Sequence, residues 1–431
     1  MVQNGRKIRL IDLIICLSDA TDFIDPAVVD HHKQVAYIAY SIAAELGLSL
    51  KEQKDLILAG SLHDIGAFSL RERKDALAFE LRNPHGHARN GYALLRLFEP
   101  LSAVAAMVRF HHVPWDHGAG REFRGLEVPF FSHIIHLSDR VAVLVDKKRE
   151  ILGQARKICG AIQKKAGSMF SPELVDVFQK VASREYFWLD LSSPSIQAIL
   201  SQRLRSANIG IVSRDMLGFS ELFSRIIDFK SPFTATHSSG VAASAEYLAQ
   251  KIGFGLKECT AMRIAGYMHD LGKLAVPVEI LDKPAQLSRQ EYNVVRHHTF
   301  YTYRILEPIA PLHTINTWAA YHHERLDGSG YPFHLKKKDL PLGSQVMAVA
   351  DVFTALTEDR PYRAGMKRLG AMKILDDMSS RSALNGEIIS LLRKHYEEID
   401  TLRMHAQAGA RMKYRDIDAA RKKDDTTAAM A

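Results

Sequence analysis

One set of matching intervals constrains this chain more than any other feature. The interval from His31 to the dyad His63-Asp64 equals that from His237 to the dyad His269-Asp270. His87 and His298 follow those dyads at similar distances. The step from His87 to the pair His111-His112 then equals the step from His298 to the pair His322-His323. The intervals from His111 to Asp139 and from His322 to Asp351 differ by a single position. Local context repeats as well. Val35 and Val241 follow the first histidine at one shared distance, and Leu94-Leu95 and Ile305-Leu306 follow the third at another. Ten of the twenty histidines fall into this scheme, which makes the chain two copies of one ligand frame, one per domain.

The segments that carry the frame have helical periodicity. Apolar residues recur at three and four in 34–48, 55–66, 240–253 and 260–272, and Gly47, Gly66, Gly253 and Gly272 stand where helices are expected to end. No alternating apolar-polar strand series is apparent. The expectation is an all-α protein of two helical bundle domains in tandem, with helical faces aiming side chains at an interior site. The boundaries read as 1–200 for the first domain, 201–230 for a helical linker, 231–403 for the second domain and 404–431 for a charged C-terminal tail.

Composition bounds the rest. A length of 431 residues is too great for one ordinary core, and the 47% hydrophobic and 25% charged fractions are those of a globular protein. Cys16, Cys159 and Cys259 are far apart and form no CxxC pair, which argues for a reducing compartment and against thiolate metal sites. Asp12 interrupts the apolar N-terminal stretch, and no run approaches the roughly 20 apolar residues a membrane helix needs. The expected location is cytoplasmic, with no membrane partner. Basic residues give a net charge of +8 but are scattered, apart from Lys336-Lys337-Lys338 and Arg421-Lys422-Lys423. A solvated surface accounts for them better than a DNA or RNA interface does.

A His-Asp dyad joined by further histidines and a distant aspartate is a ligand set for hard and borderline metals. One carboxylate can bridge two cations while imidazoles complete each shell, and without cysteine the set suits Fe or Mn better than structural zinc. Two cations about 3.5–4 Å apart generate hydroxide at neutral pH and clamp both oxygens of an in-line displacement at phosphorus. The residues therefore point to a metal-dependent phosphohydrolase. His133, His136, His313 and His334 stand outside the frame and read as core or surface residues.

From about 230 to 400 the sequence resembles the HD-GYP domain, a specialised branch of the HD phosphohydrolases. The resemblance is carried by His237, by HDLGKLAVP with ILDKPAQLS after it, by His298, by HHERLDGSGYP and by AVADVFTALTEDRPYR. It implies an all-α bundle around a di- or tri-metal site and hydrolysis of cyclic dinucleotides, cyclic di-GMP or 3′,3′-cyclic GMP-AMP. Carried over by motif, His237, His269 and Asp351 would bind one metal and His298, His322 and His323 the other, with Asp270 bridging. Lys273 would meet a non-bridging phosphate oxygen. Gly328 and Gly330 would shape the turn that sets Tyr331 against substrate, and Arg360 and Arg363 would contact guanine or phosphate. The sequence departs from the pattern at Phe233, where some members carry a Glu, and this favours two metals over three. Thr302 stands at a usual Gly, and ALNGEII at 383–389 replaces an FDP-like segment; both bear on pocket shape and base preference.

The first domain resembles the HD superfamily rather than its GYP branch. His31, His63, Asp64, His87, His111, His112 and Asp139 reproduce the frame, which implies a second di-metal site. Ala67 occupies the lysine position, and PWDHGAG stands where the GYP loop would be. Three readings stay open for it: an inactive metal-holding scaffold, a 5′-nucleotidase acting on a smaller substrate, or a regulatory or dimerising domain. The expected product at the second domain is a linear 5′-phosphorylated dinucleotide. Rival readings of the whole chain are a cyclic dinucleotide receptor with little catalysis and a general nucleotide phosphohydrolase. A homodimer stays open.

Overall fold

The computed structural model describes residues 8–22, 29–80, 85–203, 210–211, 213–230, 236–359 and 363–429. Among them strand is confined to two-residue pieces, β1 (Ile8–Arg9), β2 (Glu122–Phe123), β3 (Leu126–Glu127) and β4 (Gly210–Ile211). The remainder is helix and connecting turns, as the periodicity predicts. The chain divides into two compact units, Arg9–Gly210 and Ile211–Asp418.

The first unit contains α1 (Leu10–Asp22), α2 (His31–Glu45), α3 (Leu50–Leu62), α4 (Leu70–Ala76), α5 (His85–Leu95), α6 (Ser102–Arg109), α7 (Phe130–Val143), α8 (Leu152–Gln163), α9 (Pro172–Ala182), α10 (Glu185–Leu191) and α11 (Ile196–Arg203). The second contains α12 (Ser213–Lys230), α13 (His237–Ile252), α14 (Leu256–Met268), α15 (Val278–Leu281), α16 (Arg289–Leu306), α17 (His313–Ala320), α18 (Leu342–Thr357), α19 (Arg368–Ser380), α20 (Gly386–Lys394) and α21 (Tyr396–Ala429).

The two units use the same devices to place the residues of the His-Asp frame. In the first, α2 packs on α3 and α7; in the second, α13 packs on α14 and α18. The dyad helices start under local control. Glu52 accepts the Ser49 amide at 2.8 Å ahead of α3, and Glu258 accepts the Gly255 amide at 3.0 Å ahead of α14. His31 and His237 are the first residues of their helices, and Asp139 and Asp351 are each the tenth of theirs.

Two expectations about chain segments take a different form. Residues 213–230 form α12, whose Met216, Phe219, Leu222, Phe223, Ile226 and Ile227 are buried and which packs against α14. Burying such side chains contributes about 1.5–3 kcal/mol each, so this helix belongs to the second unit's core. Residue 404 lies within α21, and Gln407 on it is buried.

The four glycines also divide. Gly47 and Gly253 have φ of 69° and 101° and end α2 and α13 as expected. Gly66 and Gly272 do not have positive φ; they are required by contact. A Cβ on Gly66 would lie 2.2 Å from the His87 carbonyl oxygen, and one on Gly272 would lie 1.9 Å from that of His298. These glycines let the dyad turn touch the helix that carries the third histidine.

Candidate metal centres

In the second unit, His237 comes from the start of α13, His269 and Asp270 from the turn after α14, His298 from α16, His322 and His323 from the turn after α17, and Asp351 from α18. All lie together. His237 Nε2 is 3.1 Å from Asp351 Oδ1, and His269 Nε2 is 3.2 Å from Asp270 Oδ2 and 4.0 Å from Asp351 Oδ1. His298 Nε2 is 3.4 Å from Asp270 Oδ1 and 3.4 Å from His322 Nε2. His323 Nδ1 is 3.9 Å from Asp351 Oδ2. Asp270 thus has one oxygen toward His269 and the other toward His298, the disposition a bridging carboxylate needs.

The first unit repeats this arrangement. His31 Nε2 lies 3.2 Å from Asp139 Oδ1, and His63 Nε2 lies 3.3 Å from Asp64 Oδ2 and 3.7 Å from Asp139 Oδ1. His87 and His111 approach Asp64 Oδ1 at 3.0 and 3.6 Å, and His87 Nε2 is 2.9 Å from His112 Nε2. His112 Nδ1 is 3.9 Å from Asp139 Oδ2.

Tautomers are set by backbone carbonyls. Nδ1 of His63, His111, His269, His298 and His322 donates to the carbonyl three residues earlier, on Gly60, Val108, Gly266, Val295 and Ala319, at 2.6–2.8 Å. A carbonyl only accepts, so Nδ1 carries a proton and Nε2 is the atom each ring has available for a cation at the centre.

This arrangement fits cations. Among the described residues, His31 Nε2, His63 Nε2, Asp64 Oδ1, His111 Nε2, His112 Nδ1, Asp139 Oδ1 and His269 Nε2 are buried without a hydrogen-bond partner. Buried polar atoms left this way cost free energy unless something charged meets them. The donor sets His298–His322–His323, His237–His269–Asp270, Asp64–His87–His111–His112 and His31–His63–Asp64 each converge within 4.8 Å.

The electrostatics agree. Burial would raise Asp64, Asp270 and Asp351, but neighbouring imidazoles hold all three well below the usual carboxylate range. His237, despite burial, is pushed up to about 10 by Glu358 and Asp351; His63 reaches about 9, chiefly through Asp64. Each holds a proton where a cation would sit. Burial pushes His298 down to about 4 and His322 to about 3, which keeps them neutral and able to ligate.

Around the second centre, Lys273 Nζ donates to Asp270 Oδ2 at 2.6 Å. The loop after His323 is tied to one buried carboxylate, Glu324, which accepts the amides of Phe333 at 2.7 Å and Leu335 at 3.0 Å. Gly328 has φ 84°, and a Cβ on Gly330 would fall 2.3 Å from the Arg325 nitrogen. The Tyr331 ring stands 4.9 Å from that of His323 with Arg296 stacked 4.5 Å above it. Thr302 Oγ1 accepts the Gly272 amide at 2.9 Å and donates to the His269 carbonyl at 3.1 Å, so the residue at the usual glycine position braces the dyad turn. Arg363 is exposed and donates to the Ala355 carbonyl at 2.5 Å, at the end of α18. Arg360 and Phe233 lie outside the described residues.

The units differ at three points. Ala67, at the lysine position, is buried. Val113, at the Glu324 position, packs with Phe110 and Val128 in an apolar cluster, so the β2–β3 hairpin replaces the clamped loop. Arg140, next to Asp139, is buried and donates to Asp139 Oδ2 at 2.5 Å and to the Ala76 carbonyl at 2.9 Å; its counterpart is Val352. Outside the frame, His133 and His136 are buried in α7, with burial pushing His136 to about 3, and His313 and His334 are exposed.

One residue that supports the candidate centre escapes the sequence reading. Glu358 holds both carboxylate oxygens 3.1 Å from His237 Nδ1 and accepts from Gln407 Nε2 at 3.1 Å. The acidic residue before DRPYR is the available signal.

Profiles of the HD domain match residues 28–144 and 221–388. The 3′3′-cGAMP-specific phosphodiesterase 1 of Vibrio cholerae is 30% identical over 407 residues, covering 91% of this chain and 93% of the relative. This chain belongs to the HD-domain family. It holds two HD domains in tandem, and enzymes of this family are metal-dependent hydrolases. A cyclic di-GMP phosphodiesterase of Thermotoga maritima is 31% identical over 183 residues, covering 42% of this chain and 49% of the relative. The crystal structure of a cyclic GMP-AMP phosphodiesterase of V. cholerae, V-cGAP3, shares the HD fold. It superimposes with a TM-score of 0.62 at 24% identity, over 94% of this chain and 98% of that one. Among the described residues no helix is long and apolar enough to cross a membrane.

Proposed function

We propose that the second HD domain of this chain is a cyclic dinucleotide phosphodiesterase acting on 3′,3′-cyclic GMP-AMP, cyclic di-GMP or both. The observation that carries this is a full ligand frame joined to Lys273 and to a Glu324-clamped GSGYP loop whose Tyr331 rests on His323. The relatives' activities support the substrate class.

In this reading His237, His269, Asp270 and Asp351 hold one divalent cation, and His298, His322, His323 and Asp270 hold a second, with Fe or Mn suited to the donors. When bound, the pair supplies activated water and Lewis acidity toward phosphate oxygens. The chain's residues do the rest. Asp270 and Asp351, ionised under their imidazole neighbours, fix the geometry of the frame. Lys273 brings a cationic charge to a non-bridging oxygen as negative charge builds there. Gly328 and Gly330 shape the loop that places Tyr331 beside the frame, and Arg363, freed from Ala355, is a candidate for guanine or phosphate. Water oxygen adds to phosphorus, the P–O3′ bond breaks and a proton goes to O3′, leaving a linear 5′-phosphorylated dinucleotide.

For the first domain we propose a 5′-nucleotidase. Its retained frame of His31, His63, Asp64, His87, His111, His112 and Asp139 supports metal-assisted hydrolysis, and the loss of the GYP loop supports a smaller substrate. The three free cysteines and the substrate class support a cytoplasmic location.

The test uses the Fe- or Mn-loaded protein with cyclic di-GMP, 3′,3′-cyclic GMP-AMP and 5′-mononucleotides, the products being separated by chromatography. A linear dinucleotide is expected, and it should vanish in Asp270→Ala. Binding of the cyclic substrate without turnover by fully loaded protein would make the chain a receptor.

A further inference from the structure

In the first unit the frame's distant aspartate already carries a cation of the protein's own. Arg140 is fully buried and donates to Asp139 Oδ2 from Nη2 at 2.5 Å and from Nε at 3.2 Å. Its other N–H groups go to backbone carbonyls: Nη2 reaches Ala76 at 2.9 Å, and Nη1 reaches Ala78. We infer that Arg140 weakens the first centre's hold on the cation that Asp139 would ligate, so that this centre fills at higher metal concentration than the second. The inference rests on reading both His-Asp frames as two-cation centres.

The two oxygens of Asp139 face different ways. Oδ1 is turned to the frame, 3.2 Å from His31 Nε2 and 3.7 Å from His63 Nε2, and makes no hydrogen bond. Oδ2 is turned to Arg140, with His112 Nδ1 farther off at 3.9 Å. A cation on Oδ1 would share one buried carboxylate with a guanidinium, and arginine keeps its charge throughout the working pH range. Two effects then compete. A partner that orients a metal ligand strengthens binding by about 10–100-fold. Repulsion between a unit charge and a divalent ion roughly 5 Å apart, at an effective dielectric of about 20, outweighs that gain.

The second unit lacks this device. Val352 follows Asp351 where Arg140 follows Asp139, and among the described residues Asp351 forms no ion pair with lysine or arginine. Behind the first histidine the units differ in the same sense. His237 has Glu358, seven residues after Asp351, at 3.1 Å. Seven residues after Asp139 stands Asp146, which is exposed and pairs with Arg149 at 3.2 Å.

The second centre has its own cation in Lys273, on Asp270. Glu358 offsets that charge, so three carboxylates stand against one ammonium there, and two carboxylates against one guanidinium in the first unit. Lys273 is also partly exposed on a flexible stem and can turn to substrate, whereas Arg140 is held in the core by Ala76 and Ala78. At limiting metal the second domain is therefore loaded ahead of the first, and whatever chemistry the first domain performs follows metal supply.

The experiment dialyses Mn²⁺-loaded full-length protein against graded chelator and counts the ions retained, for wild type, Asp64→Ala, Arg140→Met, Arg140→Lys and Val352→Arg. In wild type one ion should leave at least about tenfold more easily than the rest, and Asp64→Ala should lack that step. Arg140→Met should strengthen the weak step by on the order of tenfold or more, while Arg140→Lys, which keeps the charge, should preserve it. Arg140→Met also strips donors from backbone carbonyls, so the reverse exchange provides a test independent of its folding. Val352→Arg, at a half-buried position, should weaken one ion of the second centre by a similar factor. Weaker retention in Arg140→Met, or a second centre unaffected by Val352→Arg, would overturn the inference. Equal ion counts in wild type and Asp64→Ala would instead show that the first frame holds no metal, a separate failure of the reading beneath it.

Discussion

Glu358 and His237 lie in distant parts of the second domain's sequence, yet both carboxylate oxygens of the first stand 3.1 Å from Nδ1 of the second. A carboxylate behind a ligand imidazole fixes its ring and raises its basicity. The support extends into α21, where Gln407 donates to Glu358 and Arg403 donates to Gln407 at 2.6 Å. Glu358→Ala should lower cation affinity at the second centre by about 10–100-fold, and Gln407→Ala should do so less. Metal content after dialysis against graded chelator measures this, and undiminished retention in Glu358→Ala would contradict it.

Glu324, itself buried, holds the GSGYP loop by accepting the amides of Phe333 and Leu335. Glu324→Ala removes the acceptor of both half-buried N–H groups, a cost of about 1 kcal/mol each. The loop should loosen, so KM for the cyclic substrate should rise while the second centre keeps its cations. Steady-state kinetics with parallel metal analysis separates the two, and metal loss at unchanged KM would contradict the assignment.

Gly272→Ala puts a methyl group against the backbone oxygen of His298, which cannot move aside as a flexible side chain could. Overpacking of this kind costs about 1–3 kcal/mol or more. A lower thermal midpoint is expected, together with weaker metal retention, because the helix carrying His298 must shift. Gly253→Ala is also costly, through its positive φ, but should leave the metal site intact.

Cation uptake should release protons. His237 and His63 have pKa values raised to about 10 and about 9, so below pH 9 both are protonated before an ion binds. A ligand must be unprotonated, so affinity rises with pH, by about tenfold per unit for each proton displaced, and levels off above the folded pKa. Competition titrations between pH 6 and 9 in weakly coordinating buffer test the sign. An affinity that falls with pH would contradict it.

The His-Asp frame is legible because it depends on spacing and residue type, both of which a single sequence displays. Helices fix where His31, His63 and Asp139 point, so matching intervals in the two halves imply matching geometry. Glu358 is not legible, since its role depends on the end of α18 returning to the start of α13. Gln407 is hidden for a related reason: its neighbours read as a charged tail, and only the packed helix reveals that one side is buried. Gly66 and Gly272 read as helix terminators because sequence shows a glycine near a helix end but not the carbonyl that presses on it. Arg363 is assigned by motif, whereas its guanidinium is engaged with α18.

The hydrogen bonds from Nδ1 to a carbonyl three residues back have a consequence for how such a centre can arise. Five imidazoles obtain their aim from the turn in which each resides, before any distant partner is considered. Each turn is a preset unit of a few residues, and a centre needs only a scaffold that brings such units within reach of one another. A duplicated half can then exchange its lysine, its clamp and its loop for other residues and still offer the same lone pairs to an ion.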